Sequence, residues 1–384
     1  MAFAQGSRSG LSYVVESVFG TTPVSPALVQ LPYNTHSLDM TKDRVTGNEI
    51  QPDRMLRVDR HGNRQAGGDI VVDLRKADFD PFLESALMSA FADSATIATT
   101  AASGSAGIAT LTFTSQTIPP YPVGSAITVA GVTPTGYNGT YTVTACTATS
   151  VSYANATTGS QTVAGTIKNR VLKVGNTAKS MSIEDAADDI TQFRLFTGMT
   201  VNTAAISIAP NSMIAATFSM VGKDMTISGT SVDATKTASS TNQPFDSYSG
   251  VMAIGNASAA LSSVATITGI DFSITNALAP TFVIGSATTP QLEFGMATVE
   301  GTITAYFEDA TLINRFVNET TSAFQVTVND PSGASNYTFH FPRVKINGAA
   351  VPVGGPTSRI VTLPFVALYD TVENSNIEII RNPS

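Results

Sequence analysis

The chain has 384 residues, 42% hydrophobic and 13% charged, with a formal net charge of -8; that length exceeds what one hydrophobic core fills, so a multi-part architecture is expected. So little charge beside so much apolar residue excludes a disordered chain, and the acidic balance excludes a partner held by counterion release from phosphates. The single cysteine, Cys146, excludes an internal disulfide, the absence of a leader-like start or a long apolar run predicts neither secretion nor a membrane span, and frequent Val, Ile, Thr and Phe without Trp favour strands.

In chain order, Leu38-Asp39-Met40-Thr41 opens a strand, and a long polar loop follows from Lys42 to Gly67. Its cations Arg54, Arg57, Arg60 and Arg64 interleave with Asp53 and Asp59. Partial cancellation makes this a poor phosphate site, whereas alternating signs suit a protein contact that sets register. Gly68 to Leu74 places apolar residues at every second position, the period of a strand with one buried face. A short amphipathic helix comes next, with Asp80 expected to cap it, Pro81 in its first turn, and Phe82, Leu83, Ala86 and Leu87 on one face.

Residues 94–167 contain no Asp, Glu, Lys or Arg. Short β-rich runs alternate there with turn clusters such as Pro119-Pro120 and Gly136 to Gly139. The pattern predicts an immunoglobulin-like β-sandwich inserted at a surface loop of a host domain. A neutral low-complexity loop is the alternative, and the regular strand spacing disfavours it. Beyond the insert, Glu184 to Asp189 is strongly acidic but lacks the alternating calcium-loop pattern, and reads as a solvated acidic turn.

The rest of the chain looks duplicated. Asp39 is matched with Asp271, Gly68 with Gly301, and Asn202 in VNTAAISI with Asn347 in INGAAVPV. The second half repeats the helix as well, with Thr311 as its expected cap and Leu312, Ile313, Phe316 and Val317 as its stripe. The expected partition is a first unit at 1–93 and 168–235, the insert at 94–167, and a second unit at 236–384. The fold class is mainly β, each unit being a β-sandwich or partial barrel with one helix.

Catalytic and metal chemistry find no foothold. His36, His61 and His340 fall in no zinc-binding spacing, no nucleophile elbow occurs, and Cys146 has no cation nearby in sequence to stabilise a thiolate. No cofactor is expected.

The segment Tyr13 to Pro23, with its Glu16-x-x-Phe19-Gly20-Thr21-Thr22-Pro23 stretch, together with the long loop running into Gly67-Gly68-Asp69, resembles the tail tube proteins of long, non-contractile-tailed bacteriophages. The resemblance implies a structural virion protein, assembled in the host bacterial cytoplasm, that stacks as rings into a conduit for DNA ejection. It implies an immunoglobulin-like module on the outer surface, no catalytic residues, and tail terminator, tape-measure and tail-tip proteins as partners. Single-unit relatives are expected to close rings of six, so a two-unit chain is expected to form pseudo-hexameric trimers. Arg54, Arg57, Arg60 and Arg64 are then expected to meet acidic groups on the adjacent ring. DNA would pass the lumen without specific binding. The competing readings are a bacterial adhesin of immunoglobulin-like units, an Hcp-like secretion tube, and a β-scaffold hydrolase.

Overall fold

Alternating apolar and polar residues dictate strands along most of the chain, and the computed structural model is built of antiparallel ladders with two α-helices among the described residues, α1 (Asp80–Ala86) and α2 (Thr311–Val317). The structure describes residues 3–382 except Arg54, Ser258, Ala260, Ala265 and 332–335. Its central feature is a row of eight antiparallel strands. Asp39–Thr46 pairs with Asp59–Asp73, then Ala215–Gly222, then the C-terminal half of Gln192–Ile208. The row continues through Ile267–Thr275, Thr298–Tyr306, Ile360–Ala367 and the end of Asn336–Ile346.

One face of this row is buried. Ile70, Phe218, Ile206, Phe272, Ile303 and Phe365 belong to a core continuous across both halves. Each such side chain contributes roughly 1.5–3 kcal/mol of burial free energy. A second layer covers them: Ser9–Val15 and Met181–Ala187 in the first half, Asp246–Asn256 and Ser322–Asn329 in the second. The pairing of Arg170–Lys173 with Glu378–Arg381 ties the halves together on that side.

Helix α1 packs Phe82 against Phe218 and Tyr13, and Pro81 sits where its missing N–H leaves no helical bond unmade. Neither expected cap is a cap. Phe79 precedes α1, and Asp80 turns inward to Arg381 at 3.0 Å and to the Tyr337 hydroxyl. Burial pushes the Asp80 carboxyl above its ordinary range, against the pull of Arg381. Ala310 precedes α2, where the Thr311 N–H donates to Asp309 Oδ1 at 2.7 Å.

The charge-free stretch builds a body with its own core, including Leu111, Phe113, Ile127, Val143 and Tyr153. Two ladders form it, and they share two strands. Ile97–Ser105 pairs with Thr166–Lys168 at its start and with Ile108–Phe113 beyond. Gly139–Cys146 pairs first with Ala126–Ala130 and then with Ser150–Ala154. Bulges at Thr99/Ala101 and Val143/Ala145 turn these strands from one ladder into the other, so the two layers close into a six-stranded barrel. Its ends leave side by side, with Asp93 opposite Arg170 and 2.6 Å from the Lys168 ammonium. Cys146 is buried in this core, and burial pushes its thiol up to about 11.

Candidate assembly surfaces

The two halves of the row carry the same sequence of rungs. Gly68 lies opposite Met220, which lies opposite Val201; Gly301 lies opposite Phe365, which lies opposite Ile346. Both glycines are required by close approach. A Cβ at Gly68 would stand 2.5 Å from the Ser37 oxygen, and one at Gly301 2.3 Å from the Asp271 oxygen. Just past Val201 the ladder slips by one residue before Thr203 meets Ser219, so Asn202 sits at a β-bulge. Past Ile346 it slips by one before Ala350 meets Thr362, with Asn347 at the slip.

Asp39 and Asp271 do not hold equivalent rungs. Asp39 faces Gly67, the residue before Gly68, whereas Asp271 faces Thr302, the residue after Gly301. The equivalent of Asp39 is Ser273, which faces Glu300. A two-residue slide keeps every side chain on its own face, so alternation alone does not detect it.

The halves meet at one seam within the row, where Thr203 to Ile208 pairs with Thr275 to Ile270. Asn202 fastens its end: the main-chain oxygen accepts the Asn276 N–H at 2.9 Å and Oδ1 accepts the Leu278 N–H at 2.8 Å. Asn276, 2% exposed, donates its amide to the Ala86 oxygen at the end of α1 and to the Val201 oxygen. Leu278 and Leu292 pack on Met88 beside it. Nothing in the sequence marked Asn276, which follows an ordinary strand.

At the two ends of the row the same surfaces are open. Among the described residues, Asp39–Thr46 pairs only with Asp59–Asp73. The segment after Ile346 meets Ile360–Ala367 on one side through Asn347, whose N–H donates to the Pro364 oxygen, and through Ala350. No pairing occupies its other side among the described residues. Helix α2 is open too: it buries no residue fully, and Val317 is 63% exposed.

Where the six inner strands pair with one another, from Ala66 onward in Asp59–Asp73, their solvent face carries Thr, Ser, Ala and Val together with Asp69, Asp73, Asp271 and Glu300, and no lysine or arginine; Arg60 and Arg64 stand in the earlier part of that strand. The basic residues lie elsewhere. Arg57 pairs with Asp53, and Arg64 with Asp224 at 2.6 Å. Arg60 is exposed without an ion pair among the described residues, and Arg54 lies outside them.

The acidic run is not a solvated turn. Glu184 and Asp185 belong to Met181–Ala187 and are buried. Glu184 pairs with Lys236 at 2.8 Å and accepts from Ser231 Oγ and the Val232 N–H; Asp185 accepts from the Arg194 guanidinium, with His36 at 3.7 Å. Such partners make buried carboxylates tolerable. Only Asp188 and Asp189 fall in the turn that follows.

The Glu16-x-x-Phe19-Gly20 stretch has a physical rationale. Buried Glu16 accepts from the Gly20 and Gly198 N–H groups at 2.7 and 2.9 Å and from the hydroxyls of Ser180 and Ser182. Gly20 and Gly198 both have left-handed backbone, at φ 68° and 69°. The stretch thus clamps the N-terminal strand to the bend of Gln192–Ile208. A family model described as phage tail tube protein matches residues 6–367.

The chain belongs to the phage tail tube protein family. A search of curated proteins finds no match to the sequence. As a tail tube protein it is a structural component of the virion tail. Among the described residues no helix is long and apolar enough to cross a membrane, and no group of three or more His, Cys, Asp and Glu could hold a metal ion.

Proposed function

We propose that this tail tube protein polymerises through the open edges of its eight-stranded row into rings of three chains, stacked into the conduit through which DNA enters the host. The observation that carries this reading is the row itself. Edge strands with free N–H and C=O groups are liabilities that proteins cover unless they are used for pairing, and here one stands at each end of a single antiparallel row. Closing edge on edge by a rotational repeat gives a ring. Two units per chain make three chains the counterpart of a six-unit ring.

The solvent face of the six inner strands, where they pair with one another, becomes the bore. Its acids and hydroxyls, without a cation, repel a polyanion and leave nothing to neutralise its phosphates. The duplication of the units and the independence of the barrel at 94–167, which projects outward once per chain, are parts of the same proposal. The segment from Lys42 to Gly67 is not the long loop expected from its polarity: its two ends are the paired strands Asp39–Thr46 and Asp59–Asp73. Its crossing to the next ring belongs to the same proposal. Of the four arginines, Arg60 is the described one free to meet an acid there; Arg57 and Arg64 would have to exchange partners.

Cryo-electron microscopy of the purified protein tests it. Tubes with three chains and three outer projections per ring are expected. Six chains per ring, or isolated monomers at high concentration, would defeat the proposal. Joining Asp93 to Lys168 through a short Gly/Ser linker should leave tubes that lack the projections, and loss of tubes from folded deletion protein would remove the barrel's assigned independence.

A further inference from the structure

We propose that Asn347 is a clasp for a second copy of this chain, and that the seam inside the chain fixes the register between chains: Ala350 opposite Asp39, with the Asn347 main-chain and side-chain oxygens on the Lys42–Arg44 backbone. This rests on the ring-forming reading and goes beyond it by naming the rungs.

The equivalences carry it. Asn202 and Asn347 follow facing pairs of the same kind, Val201 with Met220 and Ile346 with Phe365, and each is followed by a one-residue slip. Ala205 opposite Thr217 in the first half therefore matches Ala350 opposite Thr362 in the second. Burial follows the same alignment: Ala204 and Ile206 are core residues, and Ala349 and Val351 pack against that core. On the partner side, Ser273 opposite Glu300 matches Asp39 opposite Gly67. Ala205 faces Ser273 at the internal seam. The same step from the second half of one chain to the first half of another brings Ala350 to Asp39.

Hydrogen-bond direction agrees. Ala350 exchanges both its main-chain bonds with Thr362, at 3.1 and 2.9 Å. In an antiparallel strand those groups alternate in direction, so the main-chain groups of Ala349 and the Val351 N–H face the open edge, while the Val351 oxygen accepts from the Arg359 guanidinium at 2.7 Å. Pro352, on the Ala350 side of the alternation, withholds no N–H from the second chain. Asn347 is exposed, and none of its side-chain atoms is hydrogen-bonded among the described residues, whereas Asn202 holds the Leu278 N–H. Asn347 is the same device with its load missing.

Cysteine pairs in the full chain test the register. Cα atoms of directly opposed antiparallel residues stand roughly 4.5–5.5 Å apart, within disulfide range. Asp39→Cys with Ala350→Cys should give covalent multimers on mild oxidation of assembled protein. Thr41→Cys with Ala350→Cys, two rungs away, should give at least tenfold less. Ala205→Cys with Ser273→Cys should close within the monomer and calibrate the yield. Asn347→Ala should raise the concentration needed for assembly several-fold, and Asn347→Asp, which keeps the acceptor, should restore it. Tubes that cross-link equally at Thr41, or not at Asp39, overturn the register while leaving ring formation intact; wild-type protein that never assembles overturns both. A map of wild-type tubes reads the same rung without any substitution, and Ala350 opposite a residue other than Asp39 is decisive against it.

Discussion

Helices α1 and α2 follow equivalent strands of the row, yet only α1 is finished. Its last carbonyl, that of Ala86, accepts from the Asn276 amide, Leu278 and Leu292 cover the turn beyond it, and Tyr337 and Arg381 grip its first turn. Around α2 the corresponding surface is bare among the described residues: Phe316 and Val317 are exposed, and Glu319, left-handed after its helix as Met88 is after α1, pairs with Lys345. The sequences of the two helices differ little in apolar pattern. What differs is that the second half supplies the cover for the first, whereas no corresponding segment covers the second among the described residues. On the proposed assembly, the contrast separates bonds that stabilise a monomer from bonds reserved for a neighbour.

The sharpest way to break the comparison is Arg381→Met. Removing the cation strands the buried Asp80 carboxylate and should cost the monomer about 3–5 kcal/mol in denaturant unfolding. Burial already raises Asp80 above its ordinary range, so the folded variant should take up a proton. Its deficit should then be full at neutral pH and shrink as the pH falls towards about 4. A deficit that is independent of pH would show that packing, not charge, holds α1.

Asn276→Ala is expected to come next, at about 1–3 kcal/mol, because it leaves two buried carbonyl oxygens short of a donor. Asn347→Ala should leave monomer unfolding unchanged within about 0.5 kcal/mol. Equal losses for the two would erase the distinction between filled and open seams. Phe316→Ser should change monomer stability least, by less than about 0.5 kcal/mol as surface changes do. Amide exchange around α2 should nevertheless slow on assembly, while exchange around α1 stays as it was.

Period-two patterns made the strands of both halves readable, and the glycine and asparagine positions fell on matching rungs because each answers a local demand, a close backbone approach at Gly301 and a bulge at Asn202. The Asp39 assignment slid by two residues because the pattern that identifies a strand is unchanged by such a slide. The burial of Glu184 was hidden for another reason. Its partners Lys236 and Ser231 lie about fifty residues away, and an acidic run looks the same on a surface as beneath one. Helix capping failed where Asp80 found a stronger bond to Arg381 across the fold. The order of strands in the row, and hence Asn276 at the seam, depends on pairings between distant segments that no local pattern encodes.

The placement of the barrel has a consequence for synthesis. Asp59–Asp73 emerges early, but its partner Ala215–Gly222 begins 215 − 73 = 142 positions later. At translation rates of roughly 5–20 residues per second, the earlier strand waits on the order of 7–30 s with one edge unsatisfied. The intervening barrel closes entirely on itself, and closed barrels offer no edge. About half of what the ribosome releases during that wait therefore cannot pair with the waiting strand; only Arg170–Lys173, Met181–Ala187 and Gln192–Ile208 then emerge with edges of their own before Ala215.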